Sequence, residues 1–367
     1  MISTILLLLI TPITYSSIRN NCSYDIYPNS PEVYYINLKQ SINRNKYISK
    51  LLSTMNLRYF RVEGIHGDDV YIPSDLIQRN NSELTFQDVC KFQTNETIEN
   101  SYQTMNKLNK KYLINGLCTR DIKLSVLYCS MAHLLAIYQA VHSPTATSKY
   151  AIIMEDDVYI PVSIDFNALA DTAPSGFGIL QLMTIHAGSL QELWASYLKD
   201  PTQLWTRRNK EEYFSTGIYI INRERLRPVI DAIIHVDSTH PEVAAQFRLI
   251  AARPLNRKHV PSECRSTNTT TASLACIPRG RLVADVYIYS LAPTYVSRIP
   301  LAYAQHGFKS TVQWTPLSLP KLEQYTTTYL AQLLQHGTAP KPNFPIRLAC
   351  EDVKMISVPK PEKEIWV

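Results

Sequence analysis

The sequence predicts an α/β fold, with a Rossmann-like mixed sheet flanked by helices in a single domain. Two features carry this prediction: a β-α-β pattern opens the chain, and further apolar runs of strand length alternate with helical patterns downstream. Strands that alternate with helices are typical of a largely parallel sheet. The chain has 367 residues, 45% hydrophobic and 19% charged, and is long enough to bury a core of this kind.

The β-α-β pattern begins at residues 32–38, Glu-Val-Tyr-Tyr-Ile-Asn-Leu. This run is rich in β-branched and aromatic side chains and predicts a buried strand. Apolar residues at helical spacing then predict a helix over residues 43–57. A second strand is predicted over residues 59–62, which completes the unit.

The rest of the chain continues the pattern after one interruption. Residues 71–120 are polar and lack a clear core pattern, so they are predicted to form an insertion over the sheet. A helix is predicted over residues 124–141. Further strands are predicted over residues 150–154, 178–183 and 217–221. The domain is predicted to span residues 32–328, and the Pro- and Lys-rich residues 340–367 are predicted to be a peripheral tail.

The N-terminus predicts entry into the secretory pathway. Residues 2–13 are almost continuously apolar, and the small residues Thr14, Ser16 and Ser17 follow. The apolar run is short for a hydrocarbon core of about 30 Å, which favours a signal peptide over residues 1–17. No basic residue precedes the run, so an uncleaved anchor is the open alternative. The expected location is the lumen of the endoplasmic reticulum or Golgi, or outside the cell.

Glycosylation sequons and cysteines agree with secretion. Seven cysteines are present, and Cys264 with Cys276 and Cys90 with Cys118 are candidate disulfide pairs. No CxxC motif occurs, so a structural zinc site is not expected. Asn-x-Ser/Thr sequons occur at Asn21, Asn80, Asn95 and Asn268.

Composition and missing motifs exclude several classes of protein. The net charge of +6 comes without a block of Lys and Arg interleaved with aromatics, so nucleic acid is not an expected partner. Only ten glycines occur, and neither GxxxxGK nor GxGxxG is present, which argues against a glycine-rich phosphate loop. GxSxG and HExxH are also absent, so a serine hydrolase or a zinc protease is unsupported.

The acidic triplet at residues 155–157 is the most informative motif. It follows the apolar run Ala-Ile-Ile-Met, and ligands of open α/β sheets bind at the carboxyl ends of strands. Alternation along an extended chain directs Glu155 and Asp157 to one side and Asp156 to the other. Crowded carboxylates favour a bound cation, and Mn²⁺ or Mg²⁺ can bridge carboxylates to substrate phosphates. Transfer of a sugar from a nucleoside diphosphate would use such a metal ion, because the leaving diphosphate gains charge. A solvated acidic loop is the alternative.

Six segments, in order along the chain, share a pattern with one family. They are Tyr35-Ile36-Asn37-Leu38 with Arg44, Phe60 to Gly67, Cys129 to Leu134, Ile153 to Val158, Ser215 to Arg223, and Asp285 to Tyr289 with Pro300 and Gln305. Together they resemble glycosyltransferase family 25, which includes bacterial lipopolysaccharide sugar transferases and procollagen galactosyltransferases. Tyr128 and Ala132 depart from that pattern, which has Gly and Ser there.

The resemblance implies a GT-A fold, a UDP-sugar donor, a divalent metal ion (Mn²⁺ or Mg²⁺) and inversion at the anomeric carbon. It also implies that Glu155 or Asp156 meets the ribose or the sugar hydroxyls. The remaining donor-site residues that it implies are Asn37 and Leu38 at the uridine, Arg44 nearby, and Asp157 on the metal.

Four further assignments concern the reaction and the edges of the site. Direct inversion requires a base for the acceptor hydroxyl, and Asp285, an acid embedded in apolar sequence, is the candidate; a helix cap is the alternative. Asp156 is the second catalytic candidate. His133 lies on a predicted helix and faces either the core or the site, where it would be a donor-binding residue. His306, after Gln305, is a candidate third metal ligand.

The sequence therefore predicts a metal-dependent, inverting glycosyltransferase that acts on a glycoprotein or glycan in the secretory pathway. The altered positions 128 and 132 keep open a pseudo-glycosyltransferase, a secreted binding protein without turnover. A metal-dependent phosphoesterase is the other alternative, although the histidines lack metal-ligand spacing. A membrane is an expected partner only if the N-terminal segment stays uncleaved. The donor sugar and the acceptor stay open.

Overall fold

The computed structural model describes residues 24–76, 78–80, 83–85, 91–118, 124–209, 213–250, 282–305, 319–335 and 345–348. Its strands in chain order are β1 (Val33–Asn37), β2 (Tyr59–Glu63), β3 (Val70–Tyr71), β4 (Gln78–Asn80), β5 (Glu83–Thr85), β6 (Lys91–Phe92), β7 (Tyr112–Cys118), β8 (Tyr150–Glu155), β9 (Val158–Tyr159), β10 (Val162–Ile164), β11 (Ile179–Gln181), β12 (Trp205–Arg207), β13 (Ile218–Asn222), β14 (Ile234–His235), β15 (Ala245–Ile250), β16 (Thr294–Ser297), β17 (Tyr303–Ala304) and β18 (Ile346–Leu348).

Helices cover the sheets that these strands form. In chain order they are α1 (Ile42–Thr54), α2 (Asn95–Leu108), α3 (Leu124–Val141), α4 (Phe166–Asp171), α5 (Ala187–Lys199), α6 (Arg223–Ile233), α7 (Ala284–Ser290) and α8 (Leu319–Gln335). Short 3₁₀ turns lie at Gly67–Asp69 and Ser74–Leu76. The predicted β-α-β opening is confirmed, with each boundary within three residues of its expected place.

The main sheet has seven strands in the order β12-β16-β11-β13-β8-β1-β2. β1 pairs in parallel with β2 and β8, and β11 pairs in parallel with β16. The other three neighbouring pairs are antiparallel. The predicted Rossmann-like mixed sheet flanked by helices is confirmed. Because three of the six neighbouring pairs are antiparallel, the sheet has fewer parallel pairs than the alternation of strands and helices suggested.

Both faces of the central strands are buried, which explains their continuous apolar sequence. In β8, the side chains of Ile152 and Met154 belong to the core that includes α1. Ala151 and Ile153 belong to the core that includes α3, α6 and α7. Successive side chains of a strand point to opposite faces, so one apolar run serves both cores.

The helix α3 lies against the main sheet and contacts β1, β8, α6 and α7. Leu127, Met131, Leu134 and Ile137 are all fully buried. Within the described residues α3 is long and apolar enough to cross a membrane, but 61% of it is buried inside the protein. A core helix of a globular domain has the same composition, and the packing of α3 accounts for its hydropathy.

A second sheet of five strands runs in the order β14-β15-β7-β3, and β6 also pairs with β7. The described residues of the predicted insertion over residues 71–120 contribute α2 and β7 to this part of the fold. Met105, Leu113 and Ile114 are completely buried there. β18, inside the predicted tail, pairs with β10. The limits of the insertion, the domain and the tail stay predictions.

A buried ion pair joins four elements at the amino end of the main sheet. Glu32, which is completely buried before β1, accepts a hydrogen bond from the guanidinium of Arg223 at the start of α6. The guanidinium also donates to the carbonyl oxygens of Tyr150, at 3.0 Å, and of Ala140. The second carboxylate oxygen of Glu32 accepts from the Thr147 backbone N–H at 3.1 Å. This network ties β1, β8, α3 and α6 together.

The change Glu32→Gln should lower the free energy of unfolding by about 3–5 kcal/mol, because it leaves the Arg223 charge buried without its counter-ion. Urea denaturation followed by circular dichroism measures this loss. The matched control is Glu224→Gln, at an exposed position in the first turn of α6, where a change below about 1 kcal/mol is expected. Equal effects of the two substitutions would contradict a structural role for the pair.

Candidate functional site

The carboxyl end of the parallel strands β1 and β8 brings together predicted site residues within the part of the chain that the structure describes. Asn37 ends β1 and Glu155 ends β8, and the register of the two strands pairs Ile36 with Glu155. Asp156 and Asp157 follow in the turn toward β9. The carboxyl edge of a parallel pair is where α/β sheets bind ligands, so the acidic triplet lies where the sequence predicted.

Asp156 is the most enclosed acid of the triplet, at 6% exposure. One of its carboxylate oxygens accepts from the Asn37 amide at 2.7 Å, and the other accepts from the Arg44 guanidinium at 2.9 Å. The oxygen of the Asn37 amide in turn accepts from Arg61 Nε at 2.9 Å. Burial raises the pKa of Asp156, and the bonds from Asn37 and Arg44 oppose the rise. Asp156 thus fixes Asn37 and Arg44.

Asp157 shares the Arg44 guanidinium with Asp156, at 3.2 Å. Burial raises the pKa of Asp157 to about 7, the charges of Glu155 and Asp156 add to the rise, and Arg44 opposes it. Its backbone carbonyl accepts from the Gln305 N–H at 2.6 Å. A carboxylate that is enclosed and lies beside two other carboxylates favours either a proton or a further cation.

Glu155 is held by two donors on other elements. One oxygen of its carboxylate accepts from the Thr216 hydroxyl at 2.7 Å and lies 3.3 Å from Nε2 of His133. The other ring nitrogen of His133 lies 3.1 Å from the Tyr219 hydroxyl. Burial acts to raise the pKa of Glu155, but His133, Thr216 and the Arg44 charge outweigh it and keep the pKa below its usual value. His133 is therefore buried and in contact with the site.

Asp285 lies in the first turn of α7, yet its carboxylate bonds to a different segment. It accepts from the Ser215 backbone N–H at 2.9 Å, and no side chain caps α7. Its backbone carbonyl accepts from the Arg208 guanidinium at 2.7 Å. Burial raises the pKa of Asp285 to about 6, the charge of Glu155 adds to the rise, and Ser215, His133 and Arg208 oppose it. Asp285 therefore does not act as the side-chain cap of α7, which was the alternative to a role in the site.

The turn of residues 215–217 joins the two halves of the site. Ser215 contacts Asp285 through its N–H, and the next residue, Thr216, contacts Glu155 through its hydroxyl. Ser215 has a φ of 128°, a conformation that non-glycine residues rarely adopt. No role was predicted for Ser215, Thr216 or Arg208. Ser215 and Thr216 lie in one of the six segments that resemble the family, which could have indicated them, whereas Arg208 lies in a charged run without periodicity.

Leu38 follows Asn37 and is half-buried beside Gly64, where an added Cβ would lie 3.0 Å from the leucine side chain. His306 lies outside the described residues, and so do the N-terminal segment 1–17 and the side chains of both candidate disulfides. The thiol of Cys129, on α3, is unbridged, and burial followed by the charges of Glu155, Asp285 and Asp157 raises its pKa.

A divalent metal ion can be tested against the residues present. In the part of the chain that the structure describes, no three His, Cys, Asp or Glu side chains form a metal-binding group. Asp156 and Glu155 are each engaged by two donors, which leaves Asp157 as the carboxylate for a cation. Because Mg²⁺-like ions often use one or two carboxylates together with substrate phosphates, Asp157 fits a site that the substrate completes.

Comparison with known protein families supports the sequence-derived resemblance. Residues 30–239 match the model of glycosyltransferase family 25 (LPS biosynthesis protein), a span of more than half of the 367 residues. The span includes β1, β8 and the turn of residues 215–217, and it ends before Asp285. None of the curated proteins compared with the chain matches it.

Proposed function

Because the chain belongs to glycosyltransferase family 25 and is a glycosyltransferase, we propose that it moves a sugar from a UDP-sugar to an acceptor hydroxyl, with inversion and with a divalent metal ion. We assign the fold to the GT-A type on the same grounds. The observation that carries the proposal is that the consecutive residues Ser215 and Thr216 bond to Asp285 and to Glu155, the acid at the end of β8 that begins the triplet. The acceptor class proposed is a glycoprotein or glycan.

The nucleotide would bind beside Asn37 and Leu38 at the end of β1. Asn37 is fixed from two sides, by Arg61 and by Asp156. Arg44 lies between Asp156 and Asp157, so its charge is available next to a diphosphate. This arrangement supports a role for Asp156 as a positioning residue, whose two carboxylate oxygens orient Asn37 and Arg44 toward the donor.

Asp157 would hold the metal ion together with the donor diphosphate. When bound, Mn²⁺ or Mg²⁺ would stabilise the charge that develops on the leaving diphosphate. The high pKa of Asp157 supports this role: burial first and then the charges of Glu155 and Asp156 raise it, and a bound cation would favour the ionised carboxylate.

Asp285 would be the general base. It would take the proton of the acceptor hydroxyl while that oxygen attacks the anomeric carbon, and the bond from that carbon to the diphosphate oxygen would break with release of UDP. Its pKa of about 6 suits this task, because the carboxylate is ionised at neutral pH and still basic enough to accept a proton.

A panel of UDP-sugars tests the donor class. We expect metal-dependent release of UDP from at least one of them, and Asp157→Asn should abolish it while keeping the fold, since an amide is a neutral and weaker ligand. The matched control, Asp68→Asn, changes an acid whose side chain is 92% exposed and should leave turnover intact. Full activity of Asp157→Asn at saturating Mn²⁺ would refute its role. Thermal stabilisation by UDP with Mn²⁺ but no turnover would indicate a binding protein instead.

The base is tested by Asp285→Asn, which should lower kcat by about 10²–10⁴-fold and leave UDP affinity unchanged. In the unsubstituted protein, kcat/KM should fall as the pH drops through about 6, because protonated Asp285 cannot accept a proton. Stopped assays from pH 5 to 9 measure this limb. Loss of UDP–Mn²⁺ affinity in Asp285→Asn would make Asp285 a donor or metal residue. Unchanged turnover would mean that Asp285 takes no part in catalysis and that its carboxylate only accepts the bond from Ser215.

We place the protein in the secretory pathway, on the strength of the apolar N-terminal run and the four sequons. Material made in eukaryotic cells should begin near Ile18 and carry N-glycans on some of Asn21, Asn80, Asn95 and Asn268. Intact-mass analysis before and after glycan removal measures both features. A retained Met1 with unmodified asparagines in the cytosolic fraction would contradict this location.

A further inference from the structure

A largely buried polar network bonds to both the backbone and the carboxylate of Asp285. Its members, which we call the Ser215 network, are Gln181 of β11, Arg208 after β12, Ser215, and Tyr289 of α7. Gln181 is completely buried, and Ser215 and Tyr289 are at most 5% exposed. The proposed reaction assigns none of these four side chains a contact with substrate.

Gln181 is the centre of the network. Its amide nitrogen lies within hydrogen-bond distance of three backbone carbonyls, those of Met183 and Tyr213 at 2.8 Å and that of Ser215 at 3.2 Å. Its amide oxygen accepts from Arg208 Nε at 3.1 Å. Both ends of this buried amide are therefore satisfied, and they fix the chain before the turn of residues 215–217.

Arg208 connects the network to the backbone of Asp285. Its guanidinium donates to the backbone carbonyls of Asp285, at 2.7 Å, and of Tyr213, at 3.2 Å. It also stacks over the Tyr289 ring at 4.7 Å, and the Tyr289 hydroxyl donates to the Ser215 carbonyl at 2.6 Å. Asp285 is thus held at its backbone by Arg208 and at its carboxylate by Ser215.

Ser215 adopts a strained backbone conformation within this network. Its φ of 128° is costly for a residue with a Cβ, and such conformations persist where the surrounding structure over-determines them. Here its carbonyl is held by Gln181 and Tyr289, and its N–H bonds to Asp285. The strained residue is the one that donates to Asp285, and its neighbour Thr216 donates to Glu155. Two consecutive residues therefore hold the two carboxylates, one through its backbone N–H and the other through its hydroxyl.

We infer that Gln181 and Arg208 are positioning residues of the transfer reaction: they keep Ser215 in its strained conformation so that its N–H orients the Asp285 carboxylate relative to Glu155. This inference rests on the proposed function, in which Asp285 is the base. Misplacement of a reacting group by about 1 Å can cost on the order of 100-fold in rate, so an effect on kcat is expected without an effect on donor affinity.

The charges around Asp285 determine the direction of a pH effect. Glu155 of β8 opposes ionisation of Asp285, whereas His133 of α3, Arg208 and the Ser215 N–H favour it. A looser Ser215 turn would weaken the hydrogen bond to the ionised carboxylate. The acid limb of kcat/KM should then move to higher pH, an effect that packing alone would not produce.

The test uses Ser215→Gly and Arg208→Lys in the full chain. Ser215→Gly removes the hydroxyl that accepts from the Gly217 N–H at 3.0 Å, which should loosen the turn. Glycine adopts a φ of 128° without a steric penalty, which offsets this loss, so the Tm should be kept. Lysine keeps the charge of Arg208 but cannot reproduce its fork of hydrogen bonds. Each variant should lower kcat about 10- to 100-fold, leave the KM for the UDP-sugar within about twofold, and move the acid limb upward.

The controls match the chemistry of each change away from the network. Asn56→Gly also relieves a positive φ, 52° at an exposed residue, and Arg207→Lys alters the exposed neighbour of Arg208. Both should keep the kcat and the pH profile of the unsubstituted protein. Equal behaviour of Ser215→Gly, Arg208→Lys and these controls would overturn the inference while leaving the proposed function intact.

A readout that needs no turnover separates the two proposals. Carboxyl-carbon NMR of the aspartate-labelled protein, with Asp285 assigned by its loss in Asp285→Asn, gives the pKa of Asp285 directly. Ser215→Gly and Arg208→Lys should raise it relative to the controls. An unchanged pKa in both variants would overturn the inference, whether or not any UDP-sugar is turned over. An inactive unsubstituted protein with the expected pKa shifts would instead refute the proposed function alone.

Discussion

Enclosure of four carboxylates at one edge of the main sheet is the constraint on which the site depends, since burial is the largest cause that acts to raise the pKa of each. Glu155, Asp156 and Asp157 are consecutive, and Asp285 is close enough to Glu155 for each charge to disfavour the other. Burial strengthens the repulsion, because the low dielectric of the interior screens it poorly. The fold must therefore supply each acid with partners, and the elements around β8 are arranged accordingly: α1 brings Arg44, α3 brings His133, and the turn before β13 brings Thr216 and Ser215.

The partners differ, and so do the properties of the acids. Glu155 is kept ionised by His133 and Thr216, whereas the pKa of Asp157 rises to about 7 and that of Asp285 to about 6. Carboxylates whose environments separate their pKa values are typical of sites that divide catalytic roles. A group that stays ionised can bind or orient, one that attracts a cation can hold a metal, and one with a pKa near neutrality can exchange a proton.

Sequence patterns predicted what local structure determines. The strand before the acids and the long helix α3 follow from apolar periodicity, and the place of the acids follows from the carboxyl end of a strand. Asn37, which bonds to Asp156, was identified by the family resemblance alone. The direction of β13 and β11 did not follow, because periodicity does not report whether a strand runs parallel or antiparallel to its neighbour. Arg208 was also missed, since its bond to Asp285 joins residues 77 positions apart, and nothing in a charged run marks one arginine as bonded to the site.

The part of the chain beyond the family match is joined to the site by this same long-range bonding. The match ends at residue 239, and Asp285 lies 46 residues later. It reaches the acidic edge because Ser215 and Arg208, both inside the matched span, hold its carboxylate and its backbone. At the other end of the sheet, Arg223 and Glu32 fix the starts of α6 and β1. The sheet between these two networks is buried on both faces, so packing of β8 sets the position of Glu155. The position of Asp285 depends instead on its bonds to Ser215 and Arg208.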